Sequence, residues 1–385
     1  MIDSFPHQWT EDTRSPVLSW EYGDQTFGLF APSLPSWIEL LGLIILEALA
    51  ASLYGVLVYH VVVKRKANLF AYGVLVPLWL LLPPFLLQSI PNKIFRFCLT
   101  VITPICSLFR TTATIHGFAP TTESASQLAL YFGSPMRLQS DDKRHVKATL
   151  VDTLGHLGRF VGLLCITGFF YSLFGLLPQF PMVHQPPPDR YERLLDWHTV
   201  LDPVNLRHSA LFALFFQLYL MTFGEGLMFA TCAVTRCRPE PLMDNPMLAS
   251  TSPSDFWGRR WNLIIHDCLK QGVYKPCRQM GGGPTVAALA AFVASGLFHE
   301  WLLPIVFFDE SPVYGTTLLF FAWQAMLVAI ETCMPQIKVH WIPRPVRTAL
   351  VIASGIPLAH WFCDTYVHSD FFVQGSMLFF TFRPL

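Results

Sequence analysis

Long apolar stretches, separated by short polar loops, make up most of this 385-residue chain. Runs of about twenty apolar residues match the thickness of a bilayer's hydrocarbon core at the rise of an α-helix. The third and the last segments of this kind are short enough to be interfacial or re-entrant, so the pattern predicts about eight or nine spans. The predicted spans are 37–63, 69–90, 94–110, 154–178, 209–233, 284–307, 313–333, 348–366 and 370–382.

Composition supports the same class of fold. Hydrophobic residues make up 52% of the chain and charged residues only 14%, whereas a soluble protein of this length needs more charge to cover its surface. We therefore expect an all-α, polytopic transmembrane protein embedded in a lipid bilayer. The zero formal net charge gives no indication of nucleic-acid binding.

The cysteines and histidines do not form a pattern typical of metal sites. The nine cysteines are scattered without a C-x-x-C pair, which is typical of free thiols. The 13 histidines include no H-x-x-x-H or H-x-x-H spacing. Di-iron desaturases and hydroxylases need such spacings, so this class of enzyme is disfavoured and we expect no metal.

The first 36 residues form a polar and aromatic segment ahead of a membrane-embedded region, 37–385. Because this segment lacks a basic region followed by a short apolar core, we expect no cleavable signal peptide. The basic run Lys64-Arg65-Lys66 indicates that the first span ends on the cytoplasmic side. Three polar loops stand out: 133–159, 179–208 and 236–283, the last ending in a glycine hinge.

The middle of the third loop carries the signals of a helix start. Ser252 is a good N-cap, Pro253 suits the first helical position, and Asp255 falls where a capping box needs an acidic residue. The helix should run from Pro253 to about residue 271 and end at Gly272. Its tryptophans suit the membrane interface, so the residues alone are equally compatible with an anchor helix and with a functional site.

Within this predicted helix, Asp255 and Arg259 could pair at i,i+4 spacing. Arg259, Asn262 and His266 would share one face, with Arg260 beside it. Such a helix could bind an anionic group with its arginines and present an amide on the same side.

The apolar run AFVASGLFHEW, residues 291–301, ends on His299 and Glu300. From the residues alone, the histidine is either a base at membrane depth or a helix-end residue at the interface, paired with Glu300. Ser295 lies one turn before His299, so a nucleophilic serine–histidine pair is a further alternative. The lack of a G-x-S-x-G motif and the small residues around Ser295 favour helix packing instead.

The stretches DFWGRRWN and ASGLFHE resemble the membrane-bound O-acyltransferase family, and specifically its wax synthase branch. In that family an aromatic and Trp-Asn signature precedes a histidine at the end of an apolar helix. The similarity, to plant-type long-chain-alcohol O-fatty-acyltransferases, covers residues 245–300. Arg259 and Arg260 stand where many sterol and diacylglycerol acyltransferases carry an acidic and an aromatic residue. The matching positions are Phe256, Trp257, Trp261, Asn262 and His299.

The resemblance implies helices that enclose an intramembrane reaction tunnel, in which a fatty acyl group passes directly from acyl-CoA to a long-chain alcohol to form a wax ester. His299 would be the general base, and Asn262 would hold the thioester carbonyl or its oxyanion. No cofactor is implied beyond acyl-CoA as substrate. Acyl-CoA would be bound by Phe256, Trp257, Arg259, Arg260 and Trp261, with Lys270 and Lys275 nearby.

Three further residues are candidates for lining or supporting the tunnel: Ser295, Glu300 and Glu225. Glu225 lies deep in the apolar run YLMTFGEGLMF, between two glycines. Glu300 is adjacent to His299, and adjacent side chains on a helix point about 100° apart. Its role is therefore open.

The acceptor alcohol is not fixed by the sequence. Diacylglycerol, a sterol or a terpenoid hydroxyl are alternatives to a fatty alcohol, and a non-enzymatic lipid transporter would have the same hydropathy. The resemblance and the cytosolic location of acyl-CoA lead us to expect the endoplasmic reticulum membrane. Association into a homodimer is left open.

Overall fold

Ten helices form the body of the part of the protein that the structure describes. The computed structural model describes residues 14–120, 122–141, 144–176, 196–310, 312–333, 342–367, 369 and 371–385. The helices in these ranges are α1 (Leu34–Lys64), α2 (Asn68–Leu87), α3 (Lys93–Ile115), α4 (Ala125–Gly133), α5 (Leu150–Leu176), α6 (Pro203–Thr235), α7 (Leu263–Leu269), α8 (Pro284–Val306), α9 (Thr316–Cys333) and α10 (Arg344–Val367).

Eight of these helices, all but α4 and α7, are long and apolar enough to cross a membrane. The expected class, an all-α polytopic membrane protein, is confirmed. The remaining short helices are Trp197–Leu201, Pro246–Ala249, Pro253–Asp255, Lys275–Gln279 and Phe371–Ser376. The strands are β1 (Leu18–Tyr22), β2 (Gln25–Phe30), β3 (Ser140–Asp141), β4 (Arg144–His145) and β5 (Thr381–Pro384).

A small antiparallel sheet in the order β1–β2–β5 joins the two ends of the chain. Leu29 of β2 lies opposite Phe382 of β5. Because β2 precedes the first span and β5 follows the last, both ends of the bundle lie on the same side. The number of crossings is therefore even, which agrees with eight spans rather than nine.

The predicted ninth span, 370–382, is wrong. This segment forms the short helix Phe371–Ser376, a turn, and then β5. It is apolar because its phenylalanines fill the protein core: Phe371, Phe372 and Phe379 are buried. Hydropathy alone cannot separate a segment that faces lipid from one that faces other helices.

The third span is longer and more central than the sequence predicted. It covers Lys93–Ile115 rather than 94–110, and it is the most enclosed of the eight candidate spans in the described ranges. Its polar side chains find partners inside the bundle. Arg110 donates to the carbonyls of Tyr131, Phe132 and Ser134 at the end of α4, which satisfies carbonyls that a helix end leaves unpaired.

Helix α5 contacts the C-terminal segment at a glycine. A Cβ added to Gly168 would lie 1.8 Å from the carbonyl oxygen of Phe380, whereas one added to Gly162 would have no atom within 4 Å. We expect Gly168→Ala to destabilise the fold by about 1–3 kcal/mol, because backbone must move to make room. Gly162→Ala should leave stability unchanged or raise it slightly, since alanine is the better helix residue. Thermal unfolding of both variants in detergent, followed by size-exclusion chromatography, measures the difference, and equal melting temperatures would contradict this packing.

Candidate active site

A cavity of about 480 Å³ lies in the centre of the bundle. Its walls come from α3, α6, α8, α9, α10 and the segment that leads from Pro253 to Tyr274. Most lining side chains are apolar, and many are aromatic. An apolar space of this size between helices accommodates a hydrocarbon chain.

The predicted helix from Pro253 to residue 271 is broken in its middle. Ser252 does cap its start, since its Oγ accepts from the backbone N–H of Asp255 at 3.2 Å. The first part, however, widens into a π-helical turn over Phe256–Arg260, and Asn262 then adopts a left-handed conformation with φ +37°. Helix α7 starts directly after it. Asparagine tolerates this region of backbone space better than most residues, so the break needs no glycine.

At the break, the oxygen and the nitrogen of the Asn262 side-chain amide have different roles. Its Oδ1 accepts from the N–H of Ile265 at 3.3 Å and thereby caps α7. An N–H donor requires the oxygen there, so the Nδ2 amide is left as a donor at the cavity wall, which Asn262 helps to line. Gly272 does not end the helix as predicted; it lies in a π-helical turn, Lys270–Tyr274, packed against α3.

Arg260 holds the break in place. It bonds Asp255 Oδ2 at 2.9 Å and Asp244 Oδ2 at 3.1 Å, while its carbonyl accepts from the N–H of Asp244. Burial acts to raise the pKa of Asp255, but the Thr251 N–H and the Arg260 guanidinium outweigh it and lower that pKa. The predicted pair of Asp255 with Arg259 is therefore wrong, because the π-helical turn brings the next residue round instead.

Arg259 lies outside the cavity lining. It is exposed, and it does not share the cavity face with Asn262 and His266 as an unbroken helix would have required. The two arginines of the motif thus differ: Arg260 is engaged in a structural ion pair, and Arg259 faces outward.

The aromatic residues of the motif form one wall of the cavity. Phe256 stacks on Trp261 with ring centroids 5.3 Å apart, and Trp257 meets Trp261 edge-on at 6.0 Å. The indole N–H of Trp257 donates to Gln324 Oε1 on α9 at 3.2 Å. Sequence analysis did not identify Gln324, which has no local motif around it and is brought to the wall by the packing of α9.

His299 lies between aromatic rings. Its imidazole stacks on Phe298 at 4.1 Å and on Phe321 at 4.8 Å, and Phe362 meets it edge-on at 5.2 Å. Within the described ranges its buried Nδ1 has no hydrogen-bond partner. Because His299 lines the cavity, Nε2 is the nitrogen left to face it. An imidazole in such surroundings is suited to accept a proton while uncharged.

The other acidic and nucleophilic candidates occupy different places. Ser295 lines the cavity one turn before His299, and no hydrogen bond joins the two in the part of the chain that is described. Glu300 points away from the cavity and accepts from the N–H of Gly315 and of Leu318, both at 2.9 Å. It therefore caps the start of α9.

Glu225 does not line the cavity. Its carboxylate accepts a hydrogen bond from His156 Nδ1 at 2.7 Å and forms an ion pair with Arg159 Nε at 3.1 Å. Both partners lie on α5. This cluster joins α5 to α6 within the membrane region, which is how a buried carboxylate is normally accommodated. The isolated acidic residue between two glycines therefore marks a contact between packed helices rather than a wall of the cavity.

A polar stripe leads from the centre of the cavity to its outer end. Asn262, His266, Lys270 and Tyr274 follow one another at four-residue spacing, and all line the cavity. Burial, and then the charge of Lys270, lower the pKa of His266, although the carboxylate of Asp267 acts in the opposite sense. Lys270 is exposed at the mouth. The stripe continues the four-residue spacing between Asn262 and His266. Extending that spacing along the sequence would have identified Tyr274 as a lining residue.

The cavity extends along α8. Ala288 and His299 both line the cavity on α8, and eleven residues of helix separate them by about 17 Å. A cation thus stands at the exposed end of the cavity, polar groups follow its wall, and the imidazole of His299 lies among aromatic rings. This arrangement suits a substrate with an anionic head, a thin polar arm and an apolar chain.

Comparison with known proteins agrees with this arrangement. Residues 239–323 match the sequence model of the membrane bound O-acyl transferase family. Three Arabidopsis thaliana proteins are similar: Probable long-chain-alcohol O-fatty-acyltransferase 9, 41% identical over 91 residues, 22% of this chain and 26% of that one; Probable long-chain-alcohol O-fatty-acyltransferase 6, 28% over 182 residues, 42% and 52%; and Acyl-CoA--sterol O-acyltransferase 1, 40% over 151 residues, 36% and 42%.

The matched segments cover only about a quarter to a half of these relatives, from 26% to 52% of their lengths. The range that the family model matches, 239–323, includes four polar residues of the cavity wall: Asn262, His266, Lys270 and His299. The chain has eight helices long and apolar enough to cross a membrane in its described ranges, and its residues 239–323 are similar to the membrane bound O-acyl transferase family.

Proposed function

We propose that this protein transfers a fatty acyl group from acyl-CoA to the hydroxyl of a lipid alcohol. The observation that carries the proposal is that Asn262 and His299, which are far apart in the sequence, line one apolar cavity. The match of residues 239–323 to the membrane bound O-acyl transferase family, and similar proteins named as acyltransferases, support the same chemistry.

The reaction follows from the groups at the bottom of the cavity. Nε2 of His299 accepts the alcohol proton as the alcohol oxygen bonds to the thioester carbon. The Nδ2 amide of Asn262 donates to the carbonyl oxygen as it becomes an oxyanion. The carbon–sulfur bond then breaks, and the imidazolium returns its proton to the departing thiolate. Ester and free CoA are the products, and the base is regenerated without a net change in protons.

Lys270, rather than Arg259 or Arg260, is the residue that we assign to the CoA phosphates. It is exposed at the cavity mouth and lies on the stripe with Asn262, whereas the ion pairs of Arg260 with Asp244 and Asp255 already use its donors. The stripe between Lys270 and Asn262 offers neutral polar groups to the pantetheine arm.

The acceptor that we favour is a long-chain alcohol, so that the product is a wax ester. Most of the similar proteins are named for that substrate class. A sterol is the second candidate, because a relative named as a sterol acyltransferase is 40% identical over 151 residues.

We assign the mouth of the cavity to the cytosol, and the protein to the endoplasmic reticulum membrane. With eight spans, four of the connecting loops lie on the same side as the cavity mouth. Most of the chain's 26 lysines and arginines lie in these loops or next to them. An excess of these residues marks cytoplasmic loops. The four loops are 65–67, 116–149, 236–283 and 334–343.

The first prediction concerns the two reacting side chains. His299→Ala should lower kcat by about 10²- to 10⁴-fold, since the base is lost. Asn262→Asp keeps the cap on α7 and tolerates the left-handed backbone, but it replaces the amide donor by an acceptor. We expect it to lower kcat by roughly 10²- to 10³-fold without changing the melting temperature. Microsomes supplied with labelled acyl-CoA and a panel of alcohols measure both effects.

Ser295→Ala is the matched control for this experiment, since Ser295 lines the same wall. Direct transfer predicts activity near that of the wild type, whereas loss of nearly all activity together with a trapped acyl-enzyme would establish a covalent route. If no alcohol is esterified by the wild type, a lipid transporter becomes the better account.

The second prediction concerns the cavity mouth. Lys270→Ala should raise KM for acyl-CoA by roughly tenfold and leave kcat nearly unchanged, because a charge-assisted contact to phosphate is lost only in binding. Arg278→Ala removes an exposed cation of the same segment that lies outside the lining, and should leave KM as it was. Equal increases in the two variants would indicate general electrostatic attraction rather than a phosphate site at Lys270.

A further inference from the structure

The ring of His299 is oriented without a polar partner. Many catalytic histidines are held by a carboxylate or carbonyl on the nitrogen that does not react. Here Nδ1 is buried and has no such partner among the described residues, and the contacts on the ring are Phe298, Phe321 and Phe362. Stacking must therefore fix the direction of Nε2.

The two stacking partners are not equivalent. Phe298 belongs to α8, the helix of His299 itself, so its ring moves together with that helix. Phe321 belongs to α9 and lies nearly parallel to the imidazole, at an interplanar angle of 14°. The position of α9 against α8 therefore decides whether the imidazole is held on its second face.

Glu300 joins these two helices at the end near His299. Its carboxylate accepts the N–H groups of Gly315 and Leu318 at the start of α9. These groups have no partner within the helix, and an anion there is further stabilised by the helix dipole. Phe321 follows Leu318 by three residues, on the first full turn beyond this cap.

The helices also approach closely at this point. A Cβ added to Gly296, one turn before Glu300, would lie 3.1 Å from Cα of Leu318 and 3.4 Å from Cβ of Phe321. The carboxylate and the glycine thus fix α9 on α8 just where Phe321 reaches the imidazole. A helix held only by apolar contacts could slide or rotate here.

We propose that Glu300 is a positioning residue for His299, acting through the start of α9 and the ring of Phe321. Glu300 cannot act directly, because its carboxylate is engaged by two backbone N–H groups on α9. The inference rests on the proposed acyl transfer by His299, and it gives the second half of the His299-Glu300 pair a role.

A double-mutant cycle tests this coupling. Glu300→Ala and Phe321→Ala should each lower kcat by roughly ten- to hundredfold, because the base is misplaced, with KM for acyl-CoA little changed. If both act through one contact, the double variant should be about as slow as the slower single variant. Glu300→Gln keeps one acceptor oxygen and should recover part of kcat. If the two losses multiply, Glu300 does not act through Phe321.

Asp202→Ala is the matched control. Asp202 caps α6 by accepting from the N–H of Asn205 at 3.1 Å, so it is an acidic cap of another spanning helix on the same side of the membrane. Its loss should lower the melting temperature about as much as Glu300→Ala while kcat stays unchanged. If this control lost a comparable part of kcat, the effect of Glu300→Ala would be explained by lower stability of the fold, and the positioning role would be refuted. If Glu300→Ala cannot be isolated, Glu300→Gln takes its place in the cycle.

A readout without turnover keeps this inference separate from the proposed function. Diethyl pyrocarbonate modifies accessible imidazoles, and mass spectrometry of the His299 peptide gives the rate. Both single variants should raise this rate several-fold, and the double variant should raise it no further. A rate unchanged in Glu300→Ala would overturn the inference even in an active protein. A wild type inactive on every alcohol would refute acyl transfer, while the labelling cycle would still decide how the ring is positioned.

Discussion

The left-handed backbone at Asn262 is the constraint on which the site depends. It ends a π-helical turn, starts α7, and assigns the amide oxygen to the cap of that helix. The amide nitrogen is thereby left for the cavity, and the residues four, eight and twelve positions later follow along the same wall. Arg260 stabilises this conformation through two carboxylates. The sequence pattern of this segment predicts a plain amphipathic helix. The structure instead breaks the helix at Asn262, and the break directs the side-chain amide of Asn262 toward the cavity.

The proposed acyl transfer also requires a base that stays neutral. Aromatic rings surround His299, and in the proposed reaction they would exclude the water that competes with the alcohol for the acyl group. Among the described residues Nδ1 has no hydrogen-bond partner, and leaving a buried polar group unpaired costs about 1–3 kcal/mol. Stability is lost at the site, and the close contact of α8 with α9 at Gly296 and Glu300 compensates for it nearby.

The fold could be predicted largely from hydropathy, because eight helices that face lipid or each other must be apolar and long. The errors have physical causes. Segment 370–382 is apolar because it packs in the protein core, not because it faces lipid. The predicted third span was too short because α3 carries polar side chains, which find their partners inside the bundle. The break at Asn262 carries neither glycine nor proline, and the cap formed by Glu300 joins residues fifteen and eighteen positions apart. Patterns within one helix cannot reveal either feature.

The most direct test of this account is a structure with an acyl-CoA analogue in which a methylene group replaces the thioester sulfur, so that the carbonyl remains but cannot be transferred. The account predicts that the ketone oxygen lies within hydrogen-bond distance of Asn262 Nδ2, and that the space beside the ketone carbon is open to His299 Nε2. The acyl chain would fill the apolar cavity and the phosphates would lie near Lys270. An analogue bound with its carbonyl outside this cavity, or with the chain on the far side of α9, would contradict it.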